Sequence, residues 1–223
     1  MLDTDVRYIN EAFQATRVTP EQQDLLLADA WRHFGTHFFR YSWAFYGLDI
    51  RRVIPLRIRL ANFSLSKSQR RVLRKNRDLR TVVRPANMTR ETEELFHRHK
   101  RRFKQGVPES IYDFLSHDPA NVPCETMELA VYEGNRFLAI SYFDVGKNST
   151  SGIYAMFEPS ESSRGLGIFT MLKEIEFSIE SEKEFYYQGY AYEGESFYDY
   201  KKRFTGTEEY DWEGGWKGSE CKL

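Results

Sequence analysis

A chain of 223 residues, 41% hydrophobic and 16% aromatic, can bury one full core or two small lobes, and this excludes an intrinsically disordered protein. Its apolar runs, such as Phe137–Ile140, fall far short of the roughly 20 residues of a spanning helix, and its start, Met1–Asp5, is acidic rather than signal-like. The net charge of −1 hides a segregation: residues 51–104 hold 18 Lys/Arg against 4 Asp/Glu, and the remainder holds 14 against 29.

Thr19-Pro20-Glu21-Gln22 predicts a helix start, with Thr19 as N-cap, Pro20 in the first turn and Gln22 closing a capping box. Leu25, Leu26, Ala28, Ala30 and Trp31 carry that helix toward Gly35, and 37–43 reads as extended and aromatic. Residues 53–60 alternate apolar and basic, which predicts a half-buried strand exposing Arg57 and Arg59. Ser66 with Gln69 opens a second capped helix over 67–77, rich in Arg and Lys. A strand near 80–85, a helix near 90–104 and a short helix at 108–116 follow.

The second half is more regular. A strand at 127–133, a turn at Gly134-Asn135 and a strand at 136–144 form a hairpin. A polar loop, a third strand at 152–157, a loop at 159–164, a glycine-opened helix from Gly165 and a strand at 184–190 complete the pattern. Three antiparallel strands, a helix and a further strand predict an α+β protein with a GNAT-like, mixed but mostly antiparallel sheet flanked by helices. A smaller N-terminal lobe over 1–86 would carry the basic segment, and 87–223 the transferase-like domain.

Three features carry candidate chemistry. Gly165-Leu-Gly167 at a helix start can present amides to an anion, or can simply make a tight turn into the helix. Acyl-CoA enzymes of this architecture carry Arg or Gln where this chain has Ser162. The basic segment 51–84 holds twelve Lys/Arg and one acid; a solvated charged face would mix signs, so a polyanion contact is favoured. Few aromatics lie among these charges, which suits phosphate backbone better than base stacking. Residues 185–192 place five aromatics around Gln188 and Gly189, either as a core strand or as a strand opened for a ligand, with Lys201, Lys202 and Arg203 close behind. His33 and His37 would share a helix face but lack the accompanying Glu of a zinc-protease motif, and Cys124 and Cys221 have no metal spacing. The histidines read as structural or solvated, and neither metal nor cofactor is expected.

Together, residues 31–35, 55–57, 63–76, 164–167, 186–190 and 200–204 resemble the aminoacyl-tRNA–protein transferases, the arginyl- and bacterial leucyl-transferase family. The likeness runs in order from about residue 20 to 216. It implies transfer of an amino acid, arginine or leucine, from aminoacyl-tRNA to the N-terminal α-amine of a protein or peptide, in the cytosol and without acyl-CoA. Asp144, Gln188, Tyr187 and Tyr190 are then candidates for proton transfer and oxyanion stabilisation. Arg57, Lys67, Arg70, Arg71, Arg74 and Lys75 are candidates for holding tRNA. Ser151, Tyr154, Arg164, Gly165, Gly167, Gly189, Tyr192, Lys201 and Arg203 are candidates for the aminoacyl or acceptor group. The chain departs from the family in lacking its cysteine clusters, both near the N-terminus and in 46–55. That departure keeps three alternatives in view: a small-molecule or aminoacyl acceptor, as in a cyclodipeptide-type synthase, an acyl-CoA N-acetyltransferase, and a non-catalytic binding module. A monomer is the default expectation for one closed core.

Overall fold

The computed structural model describes residues 8–104 and 106–218; Met1–Asp5 and Cys221 lie outside them. In chain order the elements are β1 (Asn10–Gln14), α1 (Pro20–Ala28), β2 (Arg32–Phe34), β3 (His37–Tyr41), β4 (Trp43–Tyr46), β5 (Asp49–Arg59), α2 (Lys67–Lys75), β6 (Arg80–Pro85) and α3 (Arg90–Lys100). They continue with β7 (Thr126–Glu133), β8 (Arg136–Val145), β9 (Ser149–Phe157), α4 (Leu166–Glu180), β10 (Phe185–Tyr192), β11 (Thr207–Tyr210) and β12 (Trp216–Gly218). Both predicted capping boxes form: Thr19 with Gln22, and Ser66 with Gln69.

The first helix is shorter than expected. It is capped at Asp29, and Ala30 takes a left-handed φ of 62°, so Trp31–Gly35 leaves the helix and turns into the β2–β3 hairpin. His33 and His37 therefore share a strand hairpin, not a helix face. The helix expected at 108–116 is a single 3-10 turn, Ile111–Asp113.

One sheet dominates, ordered β12-β11-β5-β10-β9-β8-β7-β6 with β4 appended to β5, and β1-β3-β2 forms a small second sheet. Every pairing is antiparallel except β9–β10, whose crossover is α4. This is the GNAT-like α+β arrangement, read from its own strand order. Strands β5 and β6, from before residue 87, share this sheet with strands from after it.

Helices cover both faces. On one, α4 buries Leu166, Phe169, Leu172 and Ile175 at helical spacing, and α2 adds Val72 and Leu73. On the other, Leu95 and Phe96 of α3 pack with Ile111 against Ala130, Ile140 and Tyr142. Within the α4 face, the buried Glu174 accepts a short hydrogen bond from the Tyr186 hydroxyl, which ties α4 to β10. Burial pushes the Glu174 carboxyl up to about 7.

Two stability measurements follow from this packing. At Gly206, φ is +75° and an added Cβ would stand 2.8 Å from the Arg59 carbonyl oxygen, whereas at Gly134, with φ +56°, it would meet open space. Gly206→Ala is expected to cost about 2–3 kcal/mol and Gly134→Ala about 1 kcal/mol in denaturant unfolding. Equal losses would contradict the backbone contact. Because Glu174 holds its proton more tightly folded than unfolded, stability falls as pH rises from about 4.5 to about 7. Glu174→Gln escapes that loss, so its Tm relative to the parent should climb between pH 5 and pH 8, by the equivalent of up to about 3 kcal/mol.

Candidate active site

Strands β9 and β10 pair only where Ser149–Ser151 meet Phe185–Tyr187. Beyond that point β10 bulges between Tyr187 and Gly189 and continues along β5, while β9 continues along β8. The sheet forks, leaving two backbone edges without strand partners, and Gly152 and Gly189 stand at the fork. A Cβ at Gly152 would lie 2.8 Å from the Tyr186 hydroxyl. One at Gly189, where φ is +89°, would lie 3.3 Å from Lys201 Nζ and 3.8 Å from an Arg32 guanidinium nitrogen. Only glycine gives these polar side chains the room they occupy.

The cations at the fork satisfy themselves on neutral groups. Arg32 donates to Ser151 Oγ and to the Gly152 carbonyl, while Lys201 Nζ donates to the Tyr190 carbonyl at 3.1 Å. Among the described residues neither has a carboxylate at ion-pair distance. Burial, with the neighbouring Arg32 charge, brings Lys201 down to about 7. The Gln188 side chain donates to Thr207 Oγ1 at 3.2 Å, and its buried Oε1 has no partner. Tyr190 donates its hydroxyl to the Ala30 carbonyl at 2.6 Å, packing beside Tyr41 and Phe39.

The fold thus gathers Ser151, Gln188, Gly189, Tyr190 and Lys201 of the expected residues, and adds Arg32, Tyr186 and Glu174. Others lie apart. Tyr187 points to the opposite side, where Arg57 Nη1 donates to its hydroxyl at 3.3 Å. Tyr154 stacks on Phe114 at 4.1 Å on the α3 face, its hydroxyl buried without a partner. Tyr192 packs against Tyr46, and Arg203 is exposed. Gly165 and Gly167 begin α4, with Gly165 against Val72 of α2.

Two expected anion contacts are corrected. Arg57, predicted to be exposed and to hold tRNA, is only 7% exposed. It pairs with Glu208 at 2.6 Å and lies over Phe185 and Trp216, so a phosphate cannot reach it. Arg164, expected at the aminoacyl group, is clasped by Asp78, Glu133 and Glu161. Cross-strand and inter-loop acids supply both pairings, and neither acid set is near in sequence to its arginine except Glu161. By contrast Lys67, Arg70, Arg71, Arg74 and Lys75 all face outward. Lys75 Nζ and Asn76 fasten the end of α2 to the carbonyls of Ser163 and Arg164, so this basic face adjoins the start of α4.

Asp144, expected to accept a proton, is fully engaged. Its carboxylate receives Thr126 Oγ1 at 2.8 Å and Gln23 Nε2 at 3.3 Å, and lies 2.7 Å from His33 Nε2. Burial would raise its pKa, but the charge and hydrogen bond of His33, with Thr126 and Arg32, hold it below the ordinary carboxylate value. Cys124 completes the group at 3.7 Å from the same imidazole nitrogen, and burial pushes its thiol up. No spacing in the sequence announces this cluster. Arg32 had one cue, its place within the family-like stretch 31–35.

Residues 91–211 match the family described as arginine-tRNA-protein transferase, C terminus. The chain is 30% identical over 166 residues to the aspartate/glutamate leucyltransferase of Stenotrophomonas maltophilia (strain K279a), spanning 71% of this chain and 66% of that protein. It is 30% identical over 196 residues to the enzyme of the same name from Vibrio vulnificus (strain CMCP6), spanning 86% and 82%. Among solved structures, the crystal structure of FemX overlaps with a TM-score of 0.48 at 12% identity, covering 84% of this chain and 67% of that one. The structure of L-PGS from Bacillus licheniformis overlaps at 0.45 and 14% identity, covering 83% and 55%. By the family match across more than half its length and by its likeness to these leucyltransferases, the chain belongs to the arginine-tRNA-protein transferase C-terminus family.

Proposed function

We propose that this protein transfers an amino acid from aminoacyl-tRNA to the N-terminal α-amine of a protein or peptide whose first residue is acidic. The observation that carries the acceptor reading is the pair of cations, Arg32 and Lys201, converging on Gly189 with no carboxylate partner among the described residues. Buried cations without a counter-ion are costly, and a carboxylate arriving between them recovers that cost. The relatives named aspartate/glutamate leucyltransferase favour the same acceptor, and leucine as the first donor to test, with arginine second.

The outward face of α2 supports the donor reading. Lys67, Arg70, Arg71, Arg74 and Lys75 form a phosphate-holding surface that leads to Gly165 and the α4 N-terminus, and from there to the fork. The 3′ end of a tRNA lying on α2 would enter the fork with its ester between β9 and β10. The amine nitrogen attacks the ester carbonyl carbon, the carbon–oxygen bond to the ribose breaks, and the ribose oxygen leaves with the proton that the amine loses. No ATP is needed, since the ester is already activated. The unpartnered Gln188 Oε1 is placed to orient the amine, and positioning accounts for most of what the fold contributes.

The direct test incubates the protein with labelled leucyl- or arginyl-tRNA and peptides beginning with Asp, Glu, Asn or Gln, read by mass spectrometry. Addition of one residue to the Asp and Glu peptides is expected, and no transfer to any peptide would overturn the reading. Arg70→Ala/Arg71→Ala/Arg74→Ala should weaken tRNA binding and reduce the log–log salt slope by about 2–3, with Arg57→Ala leaving that slope unchanged. The acceptor site has a pH signature. Lys201 loses its charge as pH rises through about 7, so KM for an Asp-initiated peptide should rise between pH 6 and pH 9. Lys201→Arg keeps its charge and should flatten that rise; an unchanged profile in the variant would remove Lys201 from carboxylate binding.

A further inference from the structure

We propose that His33, Cys124 and Asp144 form a zinc site, closed by the carboxamide oxygen of Gln23, beneath the fork and distinct from it. The three side chains are buried, and one donor atom from each lies within 4.8 Å of the others. They come from separate parts of the fold: His33 from β2, Cys124 from the segment leading into β7, and Asp144 from the end of β8, with Gln23 on α1.

Hydrogen-bond bookkeeping points to a cation. His33 Nδ1 lies 2.9 Å from the Gly35 carbonyl, which can only accept, so Nδ1 carries a hydrogen. In the neutral ring Nε2 then presents a lone pair, and it faces Asp144 Oδ2 at 2.7 Å. Two lone pairs at that distance need a proton or a metal ion between them. A backbone carbonyl fixing the far nitrogen is the usual orientation of a ligating histidine, and Thr126 holding the other Asp144 oxygen at 2.8 Å gives the carboxylate the same support.

The second observation is Gln23. It is 1% exposed, its Nε2 lies against Asp144 Oδ2 at 3.3 Å, and its Oε1 has no partner. Turning the carboxamide over would offer that orphaned oxygen to the same point. Sulfur, imidazole nitrogen and carboxylate oxygen are a donor set suited to zinc, and poorly suited to magnesium or calcium. The 3.7 Å between Cys124 Sγ and His33 Nε2 is close to the roughly 3.5 Å that tetrahedral zinc requires. The His33–Asp144 contact would open to about 3.3 Å. Binding releases the thiol proton and the proton shared by His33 and Asp144, and the thiolate and carboxylate then balance the dication. Cys124 also lines a surface cavity of about 420 Å³ with Arg17, Pro20, Asn121 and Glu125, which provides an entry path.

The test uses the full chain purified without chelator or metal-affinity tag, then dialysed against equimolar zinc or cobalt. About one metal ion per chain is expected by elemental analysis, with a sulfur-to-cobalt charge-transfer band in the cobalt form. Chelation should lower Tm, and Cys124→Ala, checked for folding by circular dichroism, should lose the band and retain about tenfold less metal. A wild-type protein that binds no metal after dialysis, or a bound metal that gives no thiolate band, would overturn the proposal. So would full retention of metal by folded Cys124→Ala. None of these readouts depends on transfer activity.

Discussion

Everything at the candidate site depends on the place where β9 and β10 stop pairing. A parallel ladder ordinarily satisfies each backbone group in turn, and here it runs for three residue pairs before the bulge at Tyr187–Gly189 diverts β10. The carbonyls beyond that point need donors, and Arg32 and Lys201 supply them at Gly152 and Tyr190. The same two side chains thereby stand at the fork with their charges uncompensated. A backbone defect, two glycines and two cations are one feature, because each is what makes the others tolerable.

The charge segregation seen in composition has a structural cause. In α2, Val72 and Leu73 turn inward against α4, which forces the arginines between and around them outward. Arginines on strands have a different fate, since a neighbouring strand can bring an acid to them: Glu208 of β11 reaches both Arg57 and Arg59. Local composition treats Arg57 and Arg71 alike. Their difference arises from a strand 150 residues away in sequence, so the basic surface is narrower than the basic segment.

Legibility in the sequence followed the range of the interactions concerned. Capping at Thr19 and Ser66, the turn at Gly134-Asn135 and the strand at Arg80–Pro85 are set by near neighbours, and all were readable. The end of the first helix was not, because the aromatics Trp31 to Phe39 suit either a helix face or a hairpin; the pairing of β2 with β3 and their packing on Phe114 decide it. Lys201 and Gly189 could be named from the tyrosine-rich strand and the basic residues after it. Their partner Arg32 could not, since nothing local says that residue 32 will meet residues 151, 189 and 201.

The position of Arg32 beside His33 resolves the electrostatics of the fork. Asp144 is the carboxylate nearest to Arg32 in register, because it pairs with Ser151, to which Arg32 donates. Were that carboxylate uncommitted, Arg32 would close on it as an ordinary ion pair and offer nothing to a ligand. His33 takes it instead, aided by Thr126 and Gln23, and a metal ion at the same point would neutralise it further. Alternation along β2 thus sends one residue to satisfy the buried acid and its neighbour to the fork with its charge intact. The buried cluster need not touch any substrate to matter for binding: its effect is to keep Arg32 available for an anion.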